Sequence, residues 1–158
     1  MDPMTLNALY IAATALSCIV AGMTFQVADK LLTLTAALPN GAANTSTTAI
    51  DLEHNNAREN FLADCEFLVS IPALTTTQLG DTQTITVSVE TDNDVAFGSA
   101  KVVISSLFVM TGASGAGAAA ASDRFRLPSN CERYVRIKAT KAGTSNASTA
   151  SMTFQPLF

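Results

Sequence analysis

One imidazole and a scatter of carboxylates are the groups in this chain that invite an acid–base or metal-binding reading. His54 stands in Asp51-Leu52-Glu53-His54, with Glu59, Asp64 and Glu66 downstream. Carboxylates and an imidazole can together hold a metal ion or move a proton. Their spacing here matches no specific motif, and the intervening Asn55, Asn56, Ala57 and Arg58 read as loop, so a solvated acidic loop is expected. A Ser or Cys nucleophile would need this single His as its base and a third group to orient it, and the sequence contains no G-x-S-x-G. Thr111-Gly112-Ala113-Ser114-Gly115-Ala116-Gly117 follows an apolar run and loosely matches the glycine-rich turn of dinucleotide-binding folds. That turn requires a helix N-terminus next, and an acidic ribose ligand about 20 residues on. Residues 118–121 supply little more than one turn before a short strand begins near Asp123, so a contact-making Gly/Ala loop is the better account. The chain is expected not to be an enzyme, with no catalytic residues, no cofactor and no metal.

Cys18, Cys65 and Cys131 are odd in number, widely spaced and without a C-x-x-C pair. Neither a disulfide framework nor a zinc site has that pattern. All three are expected as reduced, small core residues, which suits an intracellular assembly compartment. Asn44-Thr45-Ser46 and Asn146-Ala147-Ser148 fit the glycosylation pattern, most simply by chance in a chain so rich in Ser and Thr.

Charged residues are only 14% of the 158, against 48% apolar. A sparsely charged surface does little to oppose association, so a protein covered by neighbours is expected. The net charge of −4 conceals a split, with eleven acids and two bases before residue 101, and two acids and seven bases after it. Solvated strand faces are the plain reading. The sharper one is an acidic face of one copy meeting a basic face of another, where charge sets register. Nucleic acid is a poor partner for an acidic chain whose basic segment has only Phe125 and Tyr134 nearby.

Residues 3–28 carry no charge, and residues 8–23 are strongly apolar. The start, Met-Asp-Pro-Met, lacks the Lys or Arg of a signal peptide. Asn7, Thr14, Ser17 and Gly22 interrupt the run, which is short for a membrane span. An arm or short helix over residues 1–23, buried against protein, is therefore expected, with no membrane partner. A helical reading puts Leu6, Leu9, Tyr10, Ala13 and Leu16 or Ser17 on one face, although Ile11, Ile19 and Val20 favour a strand.

From Thr24 the texture is β, and residues 24–158 read as one domain. Phe25 and Val27 alternate with polar neighbours, and residues 33–38 alternate up to the turn Pro39-Asn40-Gly41. Further strands are expected at residues 47–52, 64–71, 83–91, 101–110, 124–127, 133–140 and 148–154. In residues 83–91, Ile85, Val87 and Val89 face one way and Thr84, Thr86 and Ser88 the other, the pattern of a strand with one wet face. Residues 101–110 are apolar on both faces in places, which predicts a central strand. About eight short strands with polar turns predict an all-β, antiparallel jelly roll or β-sandwich.

With the strands placed, the chain resembles the capsid cement (decoration) proteins of tailed bacteriophages, of the small jelly-roll kind. The likeness is carried from Thr47 onward by Ala49-Ile50-Asp51-Leu52, the strand from Cys65 to Pro72, and Leu79-Gly80-Asp81 with the strand at Thr84 to Val89. Asp94 with Phe97, Arg126-Leu127-Pro128 before Arg133-Tyr134-Val135-Arg136, and Thr153-Phe154 complete it. The apolar N-terminal segment departs from that pattern and would be an arm reaching a neighbouring shell subunit. The resemblance implies a homotrimer on the outside of a virion, bridging major capsid protein subunits, assembled in the host cytoplasm. Leu6, Leu9, Tyr10, Arg133, Arg136, Lys138 and Phe158 are the candidate assembly contacts. The rival expectations are a tail-tube, neck or head-completion subunit, and a pilin-like or envelope-anchored β-domain.

Overall fold

A computed structural model of the chain describes residues 32–52 and 66–157. The expected arm over residues 1–23, the strand at Phe25 and Val27, and His54 with Glu59 and Asp64 lie outside the described residues. Within them the chain forms nine strands: β1 (Leu34–Ala37), β2 (Asn44–Ser46), β3 (Ile50–Asp51), β4 (Glu66–Ile71), β5 (Thr84–Asp92), β6 (Lys101–Thr111), β7 (Ala121–Phe125), β8 (Tyr134–Ala142) and β9 (Ser151–Leu157). Sheet I has the order β1-β9-β4-β7, and sheet II the order β2-β8-β5-β6 with β3 also on β8. All pairs are antiparallel. Apart from β2 with β3 and the β5–β6 hairpin, successive strands alternate between the sheets. Each chain crossing therefore helps to close the sandwich, and this interleaving is the jelly-roll arrangement.

The alternation in β5 and β8 explains why these segments become the middle of sheet II. Ile85, Val87 and Val89 on one strand and Val135, Ile137 and Ala139 on the other are fully buried. The two strands pair without a break from Thr84↔Ala142 to Asp92↔Tyr134, so equivalent residues share a face. Sheet I offers Phe67, Val69 and Ile71 from β4, Phe125 from β7, and Met152 and Phe154 from β9. The rings of Phe67, Phe125 and Phe154 cluster with centroids 5.4–6.3 Å apart. Each such side chain removed from water contributes about 1.5–3 kcal/mol. Cys131 is also buried at the edge of this core, as expected for it, while Cys18 and Cys65 are not described.

The position of one strand in its sheet departs from the sequence reading. Among the described residues β6, expected in the centre of a sheet because both its faces are apolar, is the edge of sheet II. Its inner face packs on the core through Ile104, Phe108 and Met110, while Val102 and Val109 stay about half exposed. Register shifts against β5 around Val89 break its alternation. Apolar residues on both sides thus reflect a bulged edge rather than burial on both faces.

The Gly/Ala loop after β6 is pinned, not followed by a helix. The Ala113 N–H donates to Gly117 O at 2.7 Å, and Leu74 and Ala118 exchange two backbone hydrogen bonds. Gly117 has φ +75°, and a Cβ there would lie 2.0 Å from Leu74 O, so only glycine fits. At the far end of β8, Lys141 takes an inward position and is 3% exposed. Its ammonium donates to Gln83 Oε1 at 3.1 Å, Gly143 O at 3.3 Å and Ser145 O at 2.6 Å. Burial pulls its pKa below the usual 10.5.

At the other end of the same inner face, Thr91 is fully buried, and among the described residues its Oγ1 has no hydrogen-bond partner. An unsatisfied buried hydroxyl costs about 1–3 kcal/mol. Thr91→Val keeps the shape and removes that group, so it is expected to raise the unfolding free energy by about 1 kcal/mol in urea denaturation.

Candidate assembly faces

The outer face of sheet II holds three of the predicted contact residues, Arg133, Arg136 and Lys138. Because Val135 and Ile137 point inward, Arg136 and Lys138 must point out, beside Glu90 of β5 in the registered pair. The Glu90 side chain is only 3% exposed, although it lies on the outer face. Its Oε2 accepts from Arg136 Nε at 3.0 Å and Nη2 at 2.7 Å, and its Oε1 accepts from Lys138 Nζ at 2.8 Å. Burial alone pushes the Glu90 carboxyl up, but the hydrogen bonds and charges of Lys138 and Arg136 outweigh it, and the net shift is down. Next along, Arg133 forms a two-pronged bond with Asp51 of β3, with both N–O distances 2.8 Å, and its guanidinium lies 5.0 Å from the Tyr134 ring.

The β5–β6 loop covers this charged cluster. Phe97 lies with its ring 4.0 Å from the Arg136 guanidinium, a favourable cation–π position. Phe97 has φ +53°, costly for a side chain of its size. The loop is fixed there by Asp92, whose carboxylate accepts from the Asp94 N–H at 3.0 Å and the Ser99 N–H at 2.9 Å. Those N–H groups hold the Asp92 pKa below its usual value. The Phe97 N–H closes the turn on Asp94 O at 3.0 Å.

The charge split therefore has an intramolecular account. The ion pairs Glu66–Arg126, Asp51–Arg133, Glu90–Arg136 and Glu90–Lys138 each join an acid from the acidic part of the chain to a base from the basic part. Sequence inspection found the three bases at and just before β8 but missed Glu90 as the centre of the Arg136 and Lys138 pair. The signal was present in the strand pattern: Glu90 continues the outward series of Thr84, Thr86 and Ser88. Leu6, Leu9, Tyr10 and Phe158, the remaining predicted contacts, lie outside the described residues.

Sheet I presents a different outer face, which sequence inspection did not single out. Thr35 opposes Thr153, Thr153 opposes Ser70, and Ser70 opposes Ser122, so four hydroxyl residues form a row across all four strands. The Ser70 and Thr153 hydroxyls share a hydrogen bond of 2.6 Å. The next row holds Gln155, Leu68 and Arg124. An open cleft of about 490 Å³ lies on this face, bordered by Ser70, Pro72, Ser122, Ser151 and Thr153. The face can offer and accept hydrogen bonds across all four strands.

Glu90→Gln keeps the shape but removes the charge shared by two cations. Because the Arg136 and Lys138 side chains are 23% and 28% exposed and can rehydrate, the expected loss is about 1–3 kcal/mol, below that of a fully buried pair. The wild-type carboxyl is depressed, so its contribution is present above its ordinary pKa of 4.5 and is lost as pH falls through the folded value. The stability gap between wild type and Glu90→Gln should thus shrink below about pH 4.5 in denaturation measured against pH. No protein-family model matches this chain, and no curated protein matches it in sequence.

Proposed function

We propose that the protein is a virion structural protein that binds the outside of a phage capsid and stabilises the shell by bridging major capsid subunits, without catalysis. The observation that carries this reading is the hydroxyl row Thr35, Thr153, Ser70 and Ser122, set across a four-stranded face. Short Ser and Thr side chains lose little rotamer entropy when a partner covers them, and they satisfy polar groups on almost any opposing surface. A closed sandwich behind the face keeps it rigid, so little ordering cost is added on binding. Internal ion pairs keep much of the charge on the opposite face occupied. The resemblance to cement proteins points the same way.

Gold-labelled antibody against the purified protein, applied to intact particles from cells that produce it, tests the reading. Label around the outside of icosahedral heads is expected. Label along tails or at the neck would overturn it in favour of a tube or head-completion subunit, and label on surface fibres in favour of a pilin-like subunit. A second prediction concerns residues 1–23. Among the described residues the core is built from Leu38 onward, so protein lacking residues 1–23 is expected to keep its β-type circular dichroism and a cooperative thermal transition, while losing affinity for the shell.

A further inference from the structure

At the end of the inner face of sheet II, an amine and a carboxamide meet. Gln83 continues the inward series of Ile85, Val87 and Val89, and Lys141 pairs with Ile85 from β8. Two glycines leave space for this contact. Gly143 has φ +128°, and a Cβ on it would collide with Cγ, Cδ and Oε1 of Gln83. A Cβ on Gly80 would lie 3.0 Å from Gln83 Nε2. The carboxamide oxygen faces three donors: the Lys141 ammonium at 3.1 Å, the Ser145 N–H at 3.2 Å and the Ser145 hydroxyl at 2.5 Å. The NH2 end of Gln83 does not fit that place, because it too is a donor. The ammonium has no carboxylate partner among the described residues, only the neutral oxygens of Gln83, Gly143 and Ser145.

We propose that Lys141 and Gln83 join through an isopeptide bond, Nζ to Cδ, with release of ammonia. A C=O bond of about 1.2 Å puts Nζ within about 4.3 Å of Cδ, against about 3–3.5 Å for attack. The nucleophile is the uncharged amine, which burial favours over the ammonium. Burial holds the Lys141 pKa below 10.5 for the same reason. Gly143 O at 3.3 Å and Ser145 O at 2.6 Å accept from two of the N–H groups. The third proton is aimed at Gln83, so its loss to solvent leaves the lone pair directed at the carboxamide. As Nζ bonds to Cδ, the C=O electron pair moves onto Oε1, where the Ser145 N–H and hydroxyl meet the negative charge. That hydroxyl has one proton to give, and its other acceptor, Gln78 O, is further away at 2.9 Å. The pair on Oε1 then returns and the Cδ–Nε2 bond breaks. Nε2 takes one proton from Nζ and leaves as ammonia.

The product is a neutral secondary amide in place of a buried cation with no counter-ion, and the ammonia is lost to dilution. Both favour the exchange. The bond ties the entry of β5 to the end of β8, across 58 positions of sequence. A cross-link over that span restricts the unfolded chain and holds the central strand pair in register. It does not rest on the capsid reading.

The intact mass of the purified full-length protein is the test. Wild type should weigh one ammonia less than its sequence, completely so after incubation at about pH 9, where more of the amine is uncharged. After trypsin, one branched peptide should join residues 59–101 to residues 139–158, because an acylated Lys141 is not cleaved. Lys141→Met, with its cooperative thermal transition retained, should show the full mass and no branched peptide. Ser145→Ala keeps both reacting groups and should close about a hundredfold more slowly, read as mass against time. The full sequence mass in wild type after the alkaline incubation overturns the proposal. So does an ammonia loss that persists in Lys141→Met, which would place it elsewhere in the chain, or equal closure in Ser145→Ala. Failure of the particle labelling with the branched peptide present would leave the bond standing and remove only the capsid reading.

Discussion

The unbroken pairing of β5 with β8 governs the rest of the structure. Nine residue pairs, from Thr84↔Ala142 to Asp92↔Tyr134, join segments about fifty positions apart. Neither strand can slip by one residue, because a single-residue shift would turn Ile85, Val87 and Val89 to the outside and carry Glu90 inward. The inner face thus enforces the register by burial, and the outer face enforces it again through the three hydrogen bonds that Glu90 accepts. Oil on one side and charge on the other specify the same alignment.

What lies at the ends of that pair follows from it. Inward positions beyond the apolar stretch fall to Thr91 at one end and Lys141 at the other. Lys141 is tolerable because three oxygens, all uncharged, meet its ammonium. Those oxygens come from Gln83, just before β5, and from the β8–β9 turn, so the lysine ties the last crossing of the chain to the entry of a central strand. At the opposite end the β5–β6 loop folds back over Arg136, held in an uncomfortable conformation at Phe97 by the carboxylates of Asp92 and Asp94. One face is sealed by charge and aromatic stacking, and the other stays open and hydroxyl-bearing.

Much of the fold could be read from local pattern, because the pattern has a physical cause. The alternation of Thr84–Val89 and of Val135–Ala139 is the direct mark of strands with one buried face. Of residues 47–52, expected as one strand, only Ile50–Asp51 pairs, as β3; β2 lies just before them and ends at Ser46, and the Thr47 hydroxyl accepts from the Ile137 N–H between the two. The start of β7 fell in the Gly/Ala-rich stretch, where composition suggested loop. β6 misled because apolar residues on both faces signal either a central strand or an edge that a bulge has turned, and local sequence does not distinguish them. The faces were less legible than the strands. Arg133, Arg136 and Lys138 were visible as a basic strand, but their acids sit 46 to 82 positions away. The hydroxyl row is assembled from four strands, and no single segment contains more than a piece of it.

The adjacency of the first and last described strands has a mechanical consequence. Leu34, at the start of β1, lies opposite Phe154, near the end of β9, and Ala37 lies opposite Ser151. Tension drawn through the two ends of the sandwich would load the same end of this antiparallel pair. The rungs would then open one after another, as a zip does, and would not share the force in shear. Stress entering through the broad sheet faces would instead be spread over many rungs at once. A sandwich wired in this way resists being stretched across its faces far better than being pulled by its tails, and any load it carries in service is best transmitted through those faces.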